Sequence, residues 1–426
     1  MRPDVASTLT RGHDAIVAAN NAVIQRMVES RPVLIDCRPA RDVVPDMTDR
    51  TIQYAGPPVP WEQQSGPQKG AIIGAMLLEG IAGTPEEAEG LVARGAVELV
   101  PNHHRNTVGS MAGVISASMP VWVVKNQSHG NFAYSTFESN LSFGSYAERT
   151  VNEIRWQIEV LQPVLGPAIA QAGGVDLNPI ISKALQMGDD CHQRFEASTY
   201  MINTEFAKVL WECDVEKATL KEVFSYLDRD RLLFLGIAMA AGKATADAAH
   251  NIKNSTICTA VARNGTRSGI RVSGLGDRWF TGPAPLIVQE GVYFTGYSHE
   301  DASFDIGDSA ITETIGLGGA AVYAAPTHWT FFGASPEPKA LQAQRKMWDV
   351  CFAKHPHFLI PALDYQGTAL GLDIARVIES GYEPIISTAI AATDPRVGRM
   401  VGAGLARVPM AAFVQALDAF AGSLDA

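Results

Sequence analysis

Short apolar runs alternate with longer amphipathic stretches along the first part of the chain. Residues 7–30 carry apolar side chains at helical spacing, which predicts an amphipathic helix. Apolar runs bounded by turn residues predict four strands, at 31–37, 51–55, 97–100 and 120–125. Between the second and third of these runs, a glycine-spaced loop opens one helix and Thr84-Pro85 begins another. This order predicts a Rossmann-like α/β domain over residues 1–140, with a mostly parallel sheet.

Helical spacing dominates the next part of the chain. Four segments combine apolar residues at helical intervals with good helix propensity, namely 149–166, 195–211, 220–239 and 238–252. They predict a mainly helical domain over residues 141–254. From residue 255 onward, β-branched residues, glycines and aromatics follow one another at short intervals. This residue pattern predicts an α+β domain with Gly-rich loops over residues 255–426. The expected fold is therefore a multi-domain α/β protein.

Composition narrows the class of protein. With 426 residues, of which 46% are hydrophobic and 19% charged, the chain is typical of a well-packed globular protein. The net charge of −11, without a basic stripe interleaved with aromatics, argues against a general nucleic-acid partner. A small anionic substrate remains compatible with this charge, because local Arg and Lys clusters decide such binding.

Cysteine usage and hydropathy indicate where the protein acts. The five cysteines are scattered and form no C-x-x-C pair, which is typical of free thiols in a reducing compartment. The first residues lack the apolar core of a signal peptide, and the longest apolar stretches are too short to span a bilayer. We therefore expect a cytoplasmic protein without membrane contact. We also expect a homo-oligomer, without a cofactor.

The stretch Met187-Gly-Asp-Asp-Cys-His-Gln-Arg194 concentrates polar groups directly after an apolar run. Two carboxylates, an imidazole and a guanidinium supply an acid, a base and an anion clamp within one turn. We expect Asp190 and His192 to be catalytic and Arg194 to bind substrate. The alternative is a capped helix start, with Asp189 as the N-cap and Arg194 in a surface ion pair.

A loop with two adjacent histidines follows a predicted strand. Loops at the carboxyl ends of parallel strands bind ligands in α/β folds, so Pro101-Asn-His-His-Arg-Asn106 is a second candidate. We expect His104 to be catalytic, and His103 and Arg105 to bind an anionic substrate. Such histidines can also be structural or hold a metal, but no H-x-x-x-H or H-E-x-x-H spacing indicates a metal site.

A third segment, residues 262–276, combines three arginines with repeated glycines. Close backbone approach and bidentate clamping make Arg263 and Asn264 candidates for binding a phosphate or carboxylate. For Arg267 and Arg271, solvated positions on a β-hairpin are an equally good explanation.

A fourth segment, residues 301–319, carries four acids and a Gly-rich end. Its Gly-Asp-Ser turn is typical of a helix start aimed at a ligand, which makes Asp305, Asp308 and Ser309 candidate binding residues. An acidic loop with a capped helix is the alternative.

A fifth segment, residues 65–74, places Lys69 beside the start of a predicted helix. It matches neither G-x-x-x-x-G-K-[ST] nor G-x-G-x-x-G, so a nucleotide is not indicated. Backbone amides at the helix start, together with Lys69, can bind a small anion.

These motifs, in this order, resemble those of the YlbE/YahG-type proteins. The resemblance is carried by His103-His104, Val108–Gly113, Met187–Arg194, Ala262–Gly265 and Asp305–Glu313. It implies a subunit of a carbamoyltransferase of the oxamate/oxalurate type in purine (allantoin) nitrogen catabolism. Some family members are linked to the conversion of oxalurate and phosphate into oxamate and carbamoyl phosphate. The implied partner is an FdrA-type protein that resembles acyl-CoA synthetases.

The resemblance also implies roles for the candidate residues. Phosphate or carboxylate would be bound by Lys69, Arg194 and Arg263. His104 or His192 would manage the proton on the carbamoyl nitrogen or polarise its carbonyl. The acids would orient these groups or accept hydrogen bonds from the substrate; they are Asp190, Asp305 and Asp308.

Three hypotheses for the function follow. A catalytic subunit predicts that several of the five segments meet in one pocket. A non-catalytic binding or assembly subunit of an FdrA-type complex predicts motifs at an exposed surface or in separate places. A metal-dependent amide hydrolase predicts a divalent ion bound by ligands from at least two segments, with His103, His104 and His192 among the candidates.

Overall fold

The structure, a computed structural model, describes residues 12–424. Its strands are β1 (Pro32–Pro39), β2 (Thr51–Tyr54), β3 (Glu98–Pro101), β4 (Thr107–Val108), β5 (Pro120–Asn126), β6 (Phe132–Thr136), β7 (Val175–Asp176), β8 (Cys258–Asn264), β9 (Arg267–Val272), β10 (Phe280–Pro283), β11 (Gly291–Tyr293), β12 (Ile306–Gly307), β13 (Cys351–Ile360), β14 (Gln366–Leu372), β15 (Ile385–Ala391) and β16 (Met400–Arg407).

Fourteen α-helices lie between residues 12 and 424. They are α1 (His13–Glu29), α2 (Ala40–Val43), α3 (Gly66–Leu78), α4 (Pro85–Ala93), α5 (Glu148–Trp156), α6 (Gln162–Gln171), α7 (Leu177–Gln186), α8 (Glu196–Trp211), α9 (Lys217–Arg229), α10 (Leu233–Ala248), α11 (Ile311–Thr314), α12 (Pro336–Val350), α13 (Ile374–Ser380) and α14 (Met410–Leu424). Residues 7–11 of the first expected helix lie outside the described residues.

The mixed α/β class is confirmed, and so is one expected strand–helix–strand unit. Strands β2 and β3 pair in parallel, in register from Thr51 opposite Glu98 to Tyr54 opposite Pro101. Helices α3 and α4 connect them, and α4 begins as its sequence predicts, because the Thr84 side chain accepts the Glu87 N–H at 3.2 Å.

The expected mostly parallel sheet is wrong. The largest sheet has the order β4-β6-β5-β1-β7, and of its pairs only β4–β6 is parallel. A short turn joins β5 to β6 as a hairpin, and such neighbours must run antiparallel. The Rossmann-like layout is therefore limited to the unit of β2, α3, α4 and β3.

Helix α10 packs on the largest sheet and is buried at every position except Asp247. The sequence predicted two overlapping helical segments here, 220–239 and 238–252, but the chain breaks between Arg229 and Leu233 and one helix then runs unbroken to Ala248. Small residues allow the close approach to the sheet. A Cβ on Gly236 would lie 2.6 Å from the Thr136 carbonyl oxygen.

Three antiparallel sheets complete the second half of the chain, with the orders β10-β9-β8-β12, β11-β16-β15 and β13-β14. The main hydrophobic core runs from Leu34 to Ala421 and draws on all three expected domains. The division at residues 140 and 254 stays a prediction. Between residues 12 and 424, no helix combines the length and apolar character needed to cross a membrane.

Candidate functional site

The turn at 187–194 connects α7 to α8, and hydrogen bonds to the carboxylates of Asp189 and Asp190 stabilise it. The Asp190 Oδ1 atom accepts backbone N–H groups from His192, Gln193 and Arg194 at 3.2, 3.0 and 2.8 Å. The Asp189 carboxylate accepts the N–H and hydroxyl of Ser198, in the first turn of α8. Asp189 therefore stabilises the first turn of α8, whose N-cap residue is Phe195 and not Asp189 as the structural alternative predicted.

Two buried histidine–carboxylate pairs flank this turn. His192 Nδ1 lies 2.7 Å from Glu313 Oε1, and His328 Nδ1 lies 3.2 Å from Asp190 Oδ2. Burial raises the pKa of Asp190, but His328 and the backbone N–H groups outweigh burial and hold that pKa well below its usual range. The sequence analysis did not select Glu313 or His328. Glu313 stood in the acidic segment, whereas nothing in the sequence marked His328.

Arg263 and Asp305 form a buried bidentate ion pair. Arg263 Nε donates to Asp305 Oδ2 at 2.8 Å, and Nη2 donates to Oδ1 at 3.1 Å. Arg263 also donates to the Gly307 carbonyl and to the Thr388 hydroxyl. With both side chains fully buried, Arg263 fixes β12 and β15 to β8. Its guanidinium is engaged within the protein, and its predicted role in binding a substrate anion stays a prediction.

Thr388 on β15 joins this ion pair to the turn at 187–194. Its carbonyl accepts the Gln193 Nε2–H at 3.0 Å, and its hydroxyl contacts Arg263. The neighbouring Ser387 donates its hydroxyl to Gln193 and its backbone N–H to Glu313. The first, third and fourth segments therefore meet around β15.

Asp308 ties the fourth segment to the histidine loop. Its carboxylate accepts N–H groups from Gly56, Asn102 and Gly109 at 2.7, 2.8 and 3.1 Å. Burial raises its pKa to about 6, against the lowering effect of these hydrogen bonds. His103 Nε2 lies 3.6 Å from the same carboxylate.

The contacts that Asn264 and Ser309 make within the protein stabilise the local backbone. The Asn264 side chain accepts the N–H groups of Thr266 and Arg267 and donates to the Pro57 carbonyl, which shapes the β8–β9 turn. Ser309 is buried next to Asp308, and its carbonyl accepts the Thr312 hydroxyl.

Of the remaining predicted cations, Arg194 contacts this network, with its Nε atom 3.5 Å from Asp189 Oδ1, whereas Lys69 and Arg105 have other partners. Lys69 Nζ lies 5.3 Å from the centre of the Trp61 ring. Arg105 pairs with Asp46 and Glu98. Arg194 pairs with Glu196 at 3.1 Å, as the structural alternative predicted. Lys69, Arg194 and Arg263 therefore do not surround one anion.

An open pocket of about 410 Å³ lies beside the network, and we call it the histidine pocket. Its lining residues are His103, His104, Asn106, Lys243, Asp247, His250, Asn251, Arg271 and Asp277. They come from the histidine loop, from the end of α10 and the turn after it, and from β9 and the turn after that strand. Among these residues, His103 and His104 were predicted from the sequence to be functional, and Arg271 was an open candidate. The missed signal was Lys243, a lone lysine in the apolar stretch of α10.

The imidazoles of the histidine pocket are held neutral. Burial lowers the pKa of His103 well below its usual value, and the charges of Lys243 and Arg271 add to this effect. Burial and then Arg271 likewise lower the pKa values of His104 and His250. His104 is exposed and accepts the Trp279 Nε1–H at 3.0 Å. Neutral imidazoles beside two cations can accept or donate a proton next to a bound anion.

His, Cys, Asp and Glu side chains do not form metal-ligand groups of three or more anywhere in residues 12–424. His103 and His104 line the pocket, whereas His192 is bound to Glu313. The histidines proposed as metal ligands therefore do not share one place.

Comparisons with known proteins agree over nearly the whole chain. Residues 97–309 match the family model described as oxamate carbamoyltransferase subunit AllG. The protein of that name from Escherichia coli K12 is 41% identical over 416 residues, which are 96% of this chain and 99% of that protein. The uncharacterized protein YahG of the same bacterium is 40% identical over 408 residues, 95% of this chain and 86% of YahG.

A solved structure has the same fold. It is the crystal structure of a conserved protein of unknown function from Enterococcus faecalis V583, with a TM-score of 0.93 and 39% identity. The match covers 97% of this chain and 99% of that one. Together these matches confirm the resemblance to the YlbE/YahG-type proteins. The chain therefore belongs to the family of the oxamate carbamoyltransferase subunit AllG.

Proposed function

We propose that this protein is a subunit of a carbamoyltransferase complex that converts oxalurate and phosphate into oxamate and carbamoyl phosphate, in purine (allantoin) nitrogen catabolism. The observation that carries the proposal is the 41% identity to E. coli AllG, which extends over 99% of that subunit. A match of this extent aligns nearly all of the relative with this chain. The partner in the complex is an FdrA-type protein.

The histidine pocket supports binding of a small anionic amide. It provides two cations, Lys243 and Arg271, next to neutral imidazoles that can take or give a proton. His104 is the exposed imidazole there, and we assign it the proton transfer at the carbamoyl nitrogen. His103 contributes to binding from the floor of the pocket.

The buried hydrogen bonds of Glu313, Asp190 and Asp305 support the candidate site structurally. The Glu313 carboxylate is hydrogen-bonded to His192 Nδ1 and thereby fixes the orientation of the ring. Asp190 holds the turn that carries His192, and Asp305 holds Arg263. We assign these residues the positioning of β12, β15 and the turn.

A second candidate function is substrate binding without chemistry, with the partner supplying the catalytic groups. One observation favours it: internal hydrogen bonds already engage the charged groups of Asp190, Arg263 and Asp305. Groups engaged in this way have little capacity left for a reacting substrate.

The test is an assay of carbamoyl phosphate formed from oxalurate and inorganic phosphate. The chain is assayed alone, with an FdrA-type partner, and against the partner alone. Product that depends on this chain supports the proposal, and no product under any condition overturns it. If the partner alone forms product, and the chain changes KM but not kcat, the second candidate holds. For location, we propose the cytoplasm, in keeping with the five free cysteines.

A further inference from the structure

We propose that the histidine pocket binds a small carboxylate that also carries N–H donors, an amido or ureido acid, and that this ligand displaces Asp277 from Arg271. The inference deepens the proposed function, because it assigns the ligand-binding residues and the class of ligand. The lining of the pocket carries the inference, which rests on the proposed function for the choice of probes.

Lys243 supplies a buried charge with unused hydrogen-bonding capacity. Its side chain is 2% exposed, and its ammonium group contacts Asp247 at 2.6 Å. An ammonium group has three N–H donors, and burying a charge is costly unless the charge is paired. The pocket beside it gives a ligand oxygen direct access to the remaining donors.

Arg271 is paired with an acid that a ligand can replace. Its side chain is 6% exposed, whereas that of its partner Asp277 is 78% exposed. Solvent around the exposed Asp277 screens its attraction to Arg271, which makes this partner replaceable. Within the described chain, Arg271 Nε has no hydrogen-bond partner, so a ligand carboxylate can take both edges of the guanidinium.

His250 and His103 add unsatisfied ring nitrogens to the same pocket. His250 Nε2 lies 3.3 Å from Asp277 but makes no hydrogen bond to any described residue. His103 is 2% exposed, and neither of its ring nitrogens has a hydrogen-bond partner in residues 12–424. Buried polar groups of this kind are normally satisfied. His103 Nε2 faces Asp308 at 3.6 Å, so His250 Nε2, which lies next to the exposed Asp277, is the ring nitrogen that a ligand reaches when it displaces Asp277.

The same lining selects for a ligand with N–H groups. A neutral imidazole has one acceptor nitrogen, and Asp247 is a second acceptor on the wall. A bare oxyanion would place its oxygens against these acceptors, whereas an amide N–H can donate to them. A volume of about 410 Å³ is ample for such a molecule.

Isothermal titration calorimetry of the full chain, in a buffer free of phosphate and sulfate, tests the proposal with three probes. The probes are oxamate, which has a carboxylate and an amide, oxalate, which lacks N–H groups, and inorganic phosphate. We expect oxamate to bind at least about fivefold more tightly than either of the others, as one added hydrogen bond provides. Undetectable binding of oxamate at millimolar concentration, or equal binding of all three, overturns the proposal.

Three variants locate the binding. Arg271→Gln is expected to weaken oxamate binding by about tenfold or more, because a charged hydrogen bond is lost. Asp277→Asn is expected to strengthen it, because the competing acid is removed. The matched control is Arg267→Gln, on the same strand but exposed outside the pocket, and it should bind as the unmodified chain does. Weaker binding by Asp277→Asn, or unchanged binding by folded Arg271→Gln, contradicts the proposal.

Failure of this proposal differs from failure of the proposed function. If oxamate does not bind but carbamoyl phosphate still forms, the pocket assignment falls and the function stands. If oxamate binds with the expected variant pattern and no carbamoyl phosphate forms, the pocket assignment stands alone. Asp277 is exposed, so Asp277→Asn remains informative even if Arg271→Gln does not fold.

Discussion

His192 and Glu313 lie 121 residues apart in the chain, yet their side chains meet at 2.7 Å in the interior. Glu313 Oε1 also accepts the backbone N–H groups of Gly319 and Ser387. One carboxylate oxygen thus holds the polar turn, the Gly-rich loop and β15 together. The acidic segment therefore contributes to the site by organising it.

Replacement of Glu313 by Gln tests this organising role. Gln keeps the shape but removes the charge, and charge-assisted hydrogen bonds contribute about 1.5 to 3 kcal/mol. We expect the free energy of unfolding in urea to fall by about that amount. The matched control is Glu337→Gln, where an exposed acid accepts the Tyr323 hydroxyl at 2.8 Å. An equal loss in both variants would contradict the special role of Glu313.

Gly318 makes the His192–Glu313 contact possible. Its φ is +55°, and a Cβ at this position would lie 2.3 Å from Glu313 Oε1 and 2.8 Å from His192 Nδ1. We expect Gly318→Ala to lower the free energy of unfolding by about 3 kcal/mol or more, because steric overlap adds to the left-handed backbone.

Gly333→Ala isolates the backbone part of that effect. Gly333 has a φ of +67°, and no described atom lies within 4 Å of its ideal Cβ. Its loss should be about 1 to 2 kcal/mol, measured in the same urea titration. If the two alanine variants were equally stable, the contact with Glu313 would not be what requires glycine.

The sequence predicted local structure well, because local structure depends on nearby residues. Thr84-Pro85 marked the start of α4, and apolar runs marked β2 and β3. Strand pairing was predicted less well. Alternation of apolar residues tells which face of a strand is buried but does not identify its neighbour, so the antiparallel pairing of β1 with β5 was missed.

The candidate site shows the same limit at the level of side chains. The sequence placed Arg263 and Asp305 in polar segments, but it could not reveal that they are each other's partners across 42 positions. Lys243 was missed because the helix around it has the composition of a buried core. Only folding brings it next to Arg271 and the histidine loop.

The buried ion pair of Arg263 and Asp305 predicts a large loss of stability when one partner is removed. Asp305→Asn leaves the fully buried guanidinium without its countercharge, and such changes cost about 3 to 5 kcal/mol. Calorimetric unfolding should show this loss. Asp301→Asn, an exposed acid in the same segment, is the control and should change stability by less than about 1 kcal/mol. A small loss for Asp305→Asn would mean that Thr388 and the Gly307 carbonyl satisfy Arg263 without the acid.

Glu138 is a buried acid that carries a proton at neutral pH. Its Oε2 atom accepts the Ser110 hydroxyl at 2.5 Å, and its Oε1 atom has no hydrogen-bond partner among the described residues. Burial raises its pKa from 4.5 to about 8, against the lowering effect of the Ser110 hydrogen bond. The folded chain therefore binds a proton that the unfolded chain has lost, throughout the range between these two values.

Because of this difference, the contribution of Glu138 to the stability of the folded protein falls as pH rises from 4.5 to about 8. Above the folded-state pKa of Glu138, this contribution no longer changes. The slope is about 1.4 kcal/mol per pH unit where the proton difference is complete. Glu138→Gln removes this titration, so the stability of the variant relative to the unmodified chain should rise by about 1 kcal/mol per pH unit between pH 6 and 8. Urea unfolding at several pH values measures the difference, in which the titrating groups that do not interact with Glu138 cancel. Glu89→Gln, an exposed acid on α4, is the control. A relative stability of Glu138→Gln that does not change with pH over this range would mean that Glu138 is already ionised in the folded chain.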